Sequence, residues 1–175
     1  TVVANSGTEK YDGAEKSVSG FETTTFEVDG NTYTVEGLSA EAKGTDAGEY
    51  TANVTGTPVV KDADGNPVTD QFKVNTQSGK LTIEKRNVTL TSATASKEYD
   101  GLPLTNNTVA ESGDGWATGE GATYTVTGSQ TLVGESKNCF TYALNAGTDA
   151  DNYNITPEYG TLEAVSYTHL TLPTT

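Results

Sequence analysis

Apolar and polar residues alternate one by one through most of this chain. The pattern is clear in Phe26-Glu27-Val28, Tyr33-Thr34-Val35, Tyr50-Thr51-Ala52-Asn53-Val54, Phe72-Lys73-Val74 and Leu81-Thr82-Ile83. It returns in Val88-Thr89-Leu90, Tyr124-Thr125-Val126, Phe140-Thr141-Tyr142-Ala143-Leu144, Tyr153-Asn154-Ile155 and Leu162. A period of two sends one face of a strand into a core and leaves Thr, Glu or Lys in water. Helical periodicity is nearly absent. Short strands broken by Gly, Asn and Asp every eight to twelve residues or so predict an all-β sandwich.

The pattern occurs twice. Lys10-Tyr11-Asp12-Gly13 answers to Glu98-Tyr99-Asp100-Gly101, and Thr32-Tyr33-Thr34-Val35-Glu36-Gly37 to Thr123-Tyr124-Thr125-Val126-Thr127-Gly128. Asp70-Gln71-Phe72-Lys73-Val74 answers to Asp151-Asn152-Tyr153-Asn154-Ile155, and Gly79-Lys80-Leu81-Thr82-Ile83 to Gly160-Thr161-Leu162-Glu163-Ala164. The repeat has the size of a small domain. Residues 1–85 and 86–165 are therefore two tandem domains, and 166–175 an unstructured tail. No Gly/Ser- or Pro-rich linker stands at Lys85-Arg86-Asn87, which predicts a stiff junction. Loops differ more than strands. Gly113-Asp114-Gly115-Trp116 lengthens the second copy, and an extended hairpin tip at Asp62-Ala63-Asp64-Gly65-Asn66-Pro67 lengthens the first.

Composition narrows the function. The net charge is −14, with seven Lys against fourteen acids in residues 1–85 and three basic residues against ten acids afterwards. Without a basic stripe, nucleic acid and anionic membranes are repelled. No apolar run is long enough to span a membrane. The single cysteine, Cys139, excludes an intrachain disulfide. A chain beginning at Thr1 without Met and without a signal peptide reads as the interior of a longer protein, a monomeric segment.

In the second copy, Glu98–Gly101, Leu102–Leu104, Tyr124–Thr131, Val133-Gly134, Phe140–Tyr142 and Asp151–Ile155 together resemble the YDG/MBG-type repeats of bacterial surface proteins. The match covers most of residues 86–165; the first copy keeps Tyr11-Asp12-Gly13 but lacks the Leu-Pro-Leu step. The resemblance implies an extracellular, cell-wall-attached, adhesin-like or stalk protein of gut Gram-positive bacteria, with no enzymatic residue. Leu172-Pro173-Thr174-Thr175 matches the first four positions of a sortase signal. The whole run from Val165 onward, which holds the only histidine, His169, instead resembles translated sequencing-adapter read-through at the end of a metagenomic reading frame.

Candidate chemistry is sparse. Tyr11, Asp12 and Gly13, and likewise Tyr99, Asp100 and Gly101, read as structural turns. Asp62, Asp64 and Asn66 place oxygen ligands at alternate positions as a calcium loop does, without the distal Glu. Cys139 is a small buried hydrophobe or a chance exposed substitution, and a thioester would need Gln130. Intramolecular Lys–Asn isopeptide bonds would join Lys10 or Lys97 to Asn75 or Asn154. Trp116, in a Gly-rich loop, stacks on a sugar, anchors an interface, or caps its own domain. No catalytic couple, phosphate loop, zinc spacing or cofactor site is present.

The sequence thus predicts two tandem small antiparallel β-sandwich domains, immunoglobulin-like in layout, with β-grasp-like modules as the alternative. The expected function is a non-catalytic segment of a bacterial surface protein: a stiff spacer without a ligand, or a weak multivalent adhesin. The alternatives are a carbohydrate- or mucin-binding module with a host glycan at Trp116, and an accessory region of a secreted glycoside hydrolase.

Overall fold

The computed structural model describes residues 1–167, and the chain divides into two compact units between Lys85 and Arg86. Unit 1 contains β1 (Val2–Val3), β2 (Gly7–Lys10), β3 (Lys16–Ser19), β4 (Thr25–Val28), β5 (Asn31–Gly44), β6 (Gly48–Lys61), β7 (Thr76–Gln77) and β8 (Gly79–Glu84). Unit 2 contains β9 (Arg86–Ser92), β10 (Ala95–Glu98), β11 (Val109–Gly113), β12 (Ala122–Val126), β13 (Gly134–Lys137), β14 (Phe140–Leu144), β15 (Tyr153–Glu158) and β16 (Thr161–Val165). A single turn of 3-10 helix precedes β7 (Thr69–Gln71) and β15 (Ala150–Asn152). The described residues hold no α-helix.

Parallel pairs stand among the antiparallel ones in both units, which departs from the antiparallel expectation. In unit 1 the strand order is β2-β8-β6-β5-β3, with β4 also on β5, and β1 pairs with β7. In unit 2 the orders are β11-β9-β15, β10-β16-β13 and β12-β14. The opening and closing strands of each unit run parallel: β1 with β7, β2 with β8, β9 with β15 and β10 with β16. Parallel neighbours need a long crossover, and here the rest of each unit supplies it.

The register of these pairs is the same in both units. Val2 faces Thr76 as Leu90 faces Pro157, and Gly7 faces Leu81 as Ala95 faces Leu162. Between the two parallel segments, the Lys80 amide donates to Ser6 Oγ at 3.0 Å, and the Thr161 amide to Thr94 Oγ1 at 3.1 Å. The residue before each amide is glycine because a side chain cannot fit there. A Cβ on Gly79 would overlap the Asn5 carbonyl, and one on Gly160 the carbonyls of Ser92 and Ala93.

One sequence correspondence is corrected. Ser39 pairs with Thr55 as Thr125 pairs with Thr141, so Thr123–Gly128 is equivalent to the stretch that begins at Gly37. Thr32–Val35 belongs to an extension without a paired equivalent among the described residues of unit 2, beyond an irregularity in the β5–β6 register between Glu36 and Leu38.

Alternation explains the cores. Along β5, Ala40 and Ala42 are buried while Ser39, Glu41 and Lys43 are exposed. Val2, Val35 and Val60 form a core cluster in unit 1, joined by Phe21, Phe26, Tyr33, Leu38, Val68, Phe72 and Val74. In unit 2, Val88, Leu90, Phe140, Tyr153, Leu162 and Ala164 are buried.

Candidate functional site

The loop between β11 and β12 is the most constructed surface feature of unit 2. The Arg86 guanidinium donates to the carbonyls of Asp114 at 2.6 Å and Gly115 at 2.9 Å, and the Asn87 amide donates to Asp114 Oδ2 at 2.8 Å. These contacts fix the loop to the start of β9. Trp116, half-buried, then lays its indole edge-on to Tyr153, with ring centroids 4.9 Å apart and planes at 67°. Its Nε1–H donates to the Tyr124 hydroxyl at 3.2 Å.

Tyr153 anchors the other end of the loop. Its hydroxyl accepts from the Ala117 amide at 3.1 Å and donates to Glu120 Oε1 at 2.9 Å. Burial pushes its pKa above the ordinary phenol value; the Ala117 amide opposes this and Glu120 adds to it. Burial likewise raises the Tyr124 pKa, partly offset by the bond from Trp116. Unit 1 fills the equivalent corner differently. Phe72, which follows the 3-10 turn as Tyr153 does, packs edge-on with Tyr33 from β5 at 4.8 Å and 61°.

The other sequence candidates lie apart. Asp12 Oδ1 accepts from the Ala14 amide and Asp100 Oδ1 from the Leu102 amide, each at 2.9 Å, and Gly13 and Gly101 have φ of 86° and 78°. Lys16 pairs with Asp12 at 2.6 Å and Lys97 with Asp100 at 2.9 Å. The Lys97 hydrogen bond and the Leu102 amide hold the Asp100 carboxyl below its usual range. The two tyrosines differ, Tyr11 being 5% exposed and Tyr99 40%.

Asp62 Oδ1 accepts from the amides of both Asp64 and Asn66, at 3.0 and 2.9 Å, so this carboxylate builds the tip of its own hairpin. Among the described residues, no three His, Cys, Asp or Glu side chains are grouped to hold a metal ion. Cys139 is exposed, and the flanking Asn138 and Phe140 take the buried face. Gln130 Nε2 donates to the Leu132 carbonyl at 2.7 Å.

The isopeptide pairings are not aligned. Lys10 faces Glu84 in the β2–β8 pair, whereas the Asn75 carbonyl accepts from Val2 at the start of the separate β1–β7 pair. Lys97 faces Ala164, and Asn154 pairs with Asn87, its Nδ2 donating to Asn87 Oδ1 at 3.0 Å. His169 and Leu172–Thr175 lie outside the described residues.

Sequence reasoning missed a polar groove on unit 1. Ser19, Glu41 and Asn53 stand side by side across β3, β5 and β6, and Ser39 Oγ lies 3.1 Å from Thr55 Oγ1. With Phe21 and Leu38 at its edge, the groove has a volume of about 770 Å³. Its signal was present as polar residues at alternate positions, but pairing three strands needed the register.

No protein-family model matches the chain, and no curated protein or solved structure shows significant similarity to it. Among the described residues no helix is long and apolar enough to cross a membrane.

Proposed function

We propose that this chain is a non-catalytic pair of repeat units from a bacterial surface protein, serving as a spacer or as a multivalent adhesive segment. The observation that carries this reading is the duplication at register level. Two units share the same parallel strand pairs and the same glycine crossing, with one residue, Lys85, between β8 and β9. Copying a unit with so little chain between copies sets spacing and valency rather than a reaction. Surface location rests on the resemblance of residues 86–165 to YDG/MBG-type repeats. Of the two layouts considered, we favour the β-grasp-like one, because an immunoglobulin-like sandwich is built from antiparallel sheets. Small-angle scattering on arrays of two, four and six units tests the spacer. Maximum dimension should grow in proportion to unit number; a plateau rules the spacer out.

A second reading is carried by the unit 1 groove. Hydroxyl, amide and carboxylate groups beside an aromatic ring suit a neutral polyol such as a glycan. A glycan or mucin screen of the chain, repeated with Glu41→Ala, Asn53→Ala and Trp116→Ala, tests it. Binding lost with the β5–β6 variants supports the groove, loss with Trp116→Ala alone supports the loop, and absence of binding removes both.

A further inference from the structure

Unit 2 opens with three residues that have no counterpart in unit 1. Arg86, Asn87 and Val88 run parallel to Tyr153, Asn154 and Ile155, and Val88 is completely buried. On the antiparallel side, Gly113 faces Val88 and the Asp114 amide donates to the Asn87 carbonyl at 2.7 Å. These residues are thus held between two neighbouring segments.

The register makes Thr1 of unit 1 equivalent to Thr89, since Val2 faces Thr76 as Leu90 faces Pro157. Phe72, Lys73 and Val74 are then equivalent to Tyr153, Asn154 and Ile155, and no strand runs beside them among the described residues. An open apolar groove of about 230 Å³ lies at that place, between Phe26 and Val28 of β4 on one side and Phe72 and Val74 on the other, with Val2 and Val60 at its base. Val28 is left 43% exposed there.

We propose that this groove is the seat of a three-residue β-strand joined directly ahead of Thr1, parallel to Phe72–Val74, with a β-branched apolar side chain immediately before Thr1. Continuity decides the source. The seat is collinear with the β1–β7 pair, so an occupant in the same register ends where Thr1 begins. The Val2 amide donates to the Asn75 carbonyl and the Ala4 amide to the Gln77 carbonyl, at 2.8 and 2.9 Å. Extending this every-second-residue pattern backwards puts the Lys73 and Asn75 amides on carbonyls of the added residues. The added apolar side chain enters the groove as Val88 enters the core of unit 2. Unit 2 receives its strand from the chain that leaves unit 1, so in an array each unit is completed by the residues linking it to the one before. The inference rests on the comparison of the two units, not on the surface-protein reading.

The experiment joins Arg-Asn-Val ahead of Thr1 in the full chain, with Arg-Asn-Asp and Gly-Ser-Gly extensions as controls. Amide hydrogen exchange is followed at Lys73 and Asn75. The Arg-Asn-Val extension should slow exchange at both amides by about tenfold or more relative to either control, and raise the melting temperature of unit 1. Equal exchange in all three chains overturns the proposal. So does protection by a free Arg-Asn-Val-Thr peptide that the joined extension does not reproduce.

Discussion

Ser92 Oγ donates to the Asn138 carbonyl at 2.5 Å and accepts from the Gly160 amide at 3.0 Å, so one hydroxyl stands between two backbone groups of neighbouring strands. The opposite bond, from the Asn138 amide to the Gly160 carbonyl, is direct at 2.8 Å. In unit 1 the equivalent residues are Ala4, Ala52 and Gly79, and there Ala52 and Gly79 pair within the ladder itself. Ser92→Ala should therefore let Gly160 and Asn138 close directly, at a cost below about 1 kcal/mol. Chemical denaturation measures this, and a loss above about 2 kcal/mol means the hydroxyl is indispensable.

Gly79 and Gly160 occupy one structural position in two sequences. Alanine at either pushes a methyl into backbone carbonyls, and we expect each change to cost about 2–3 kcal/mol. The loss should be confined to the substituted unit, which amide exchange resolved by residue can read. A tolerated alanine at both positions would contradict the close approach.

Trp116 fastens its loop by an edge-on ring contact and one hydrogen bond. Trp116→Ala should destabilise unit 2 by about 2 kcal/mol, less than for a fully buried tryptophan. Trp116→Phe, which keeps the ring contact and loses the bond to Tyr124, should cost about 1 kcal/mol. Thermal unfolding of the two variants separates these contributions.

Tyr153 predicts a response to alkaline pH. Its folded pKa is raised above the ordinary value of 10.0, so the neutral phenol is favoured in the native state. The associated stability is fully present below the unfolded pKa and is lost as pH rises through the folded one. Unit 2 should weaken above about pH 10, and Tyr153→Phe should flatten that slope. An unchanged slope in the variant assigns the alkaline loss to another group.

Strands, turns and the division near residue 85 could be read from the sequence because each has a local signal. Alternation marks strands, Asp-Gly marks the turns at Asp12 and Asp100, and the repeated landmarks change over where the compact units divide. Strand direction left no such trace. Val88-Thr89-Leu90 alternates whether its partner runs parallel or antiparallel, so the closing pairs were invisible. Equivalence within the long strands was also obscured. Tyr33-Thr34-Val35 and Tyr124-Thr125-Val126 spell the same pattern, and only the cross-strand partners of Ser39 and Thr125 show that they occupy different places. The packing of Trp116 depends on Tyr153, 37 positions later, a distance that no local pattern bridges.

The parallel pairing of opening with closing strands has a mechanical consequence. Tension along the chain enters a unit through its first two strands and leaves through its last two. Each opening strand lies beside a closing strand that points the same way, β1 by β7 and β2 by β8, β9 by β15 and β10 by β16, so the load runs along the axis of each pair. Their hydrogen bonds lie across that axis and must be sheared as a set rather than unzipped one at a time. Each unit is thus braced along the direction in which a tethered chain is pulled.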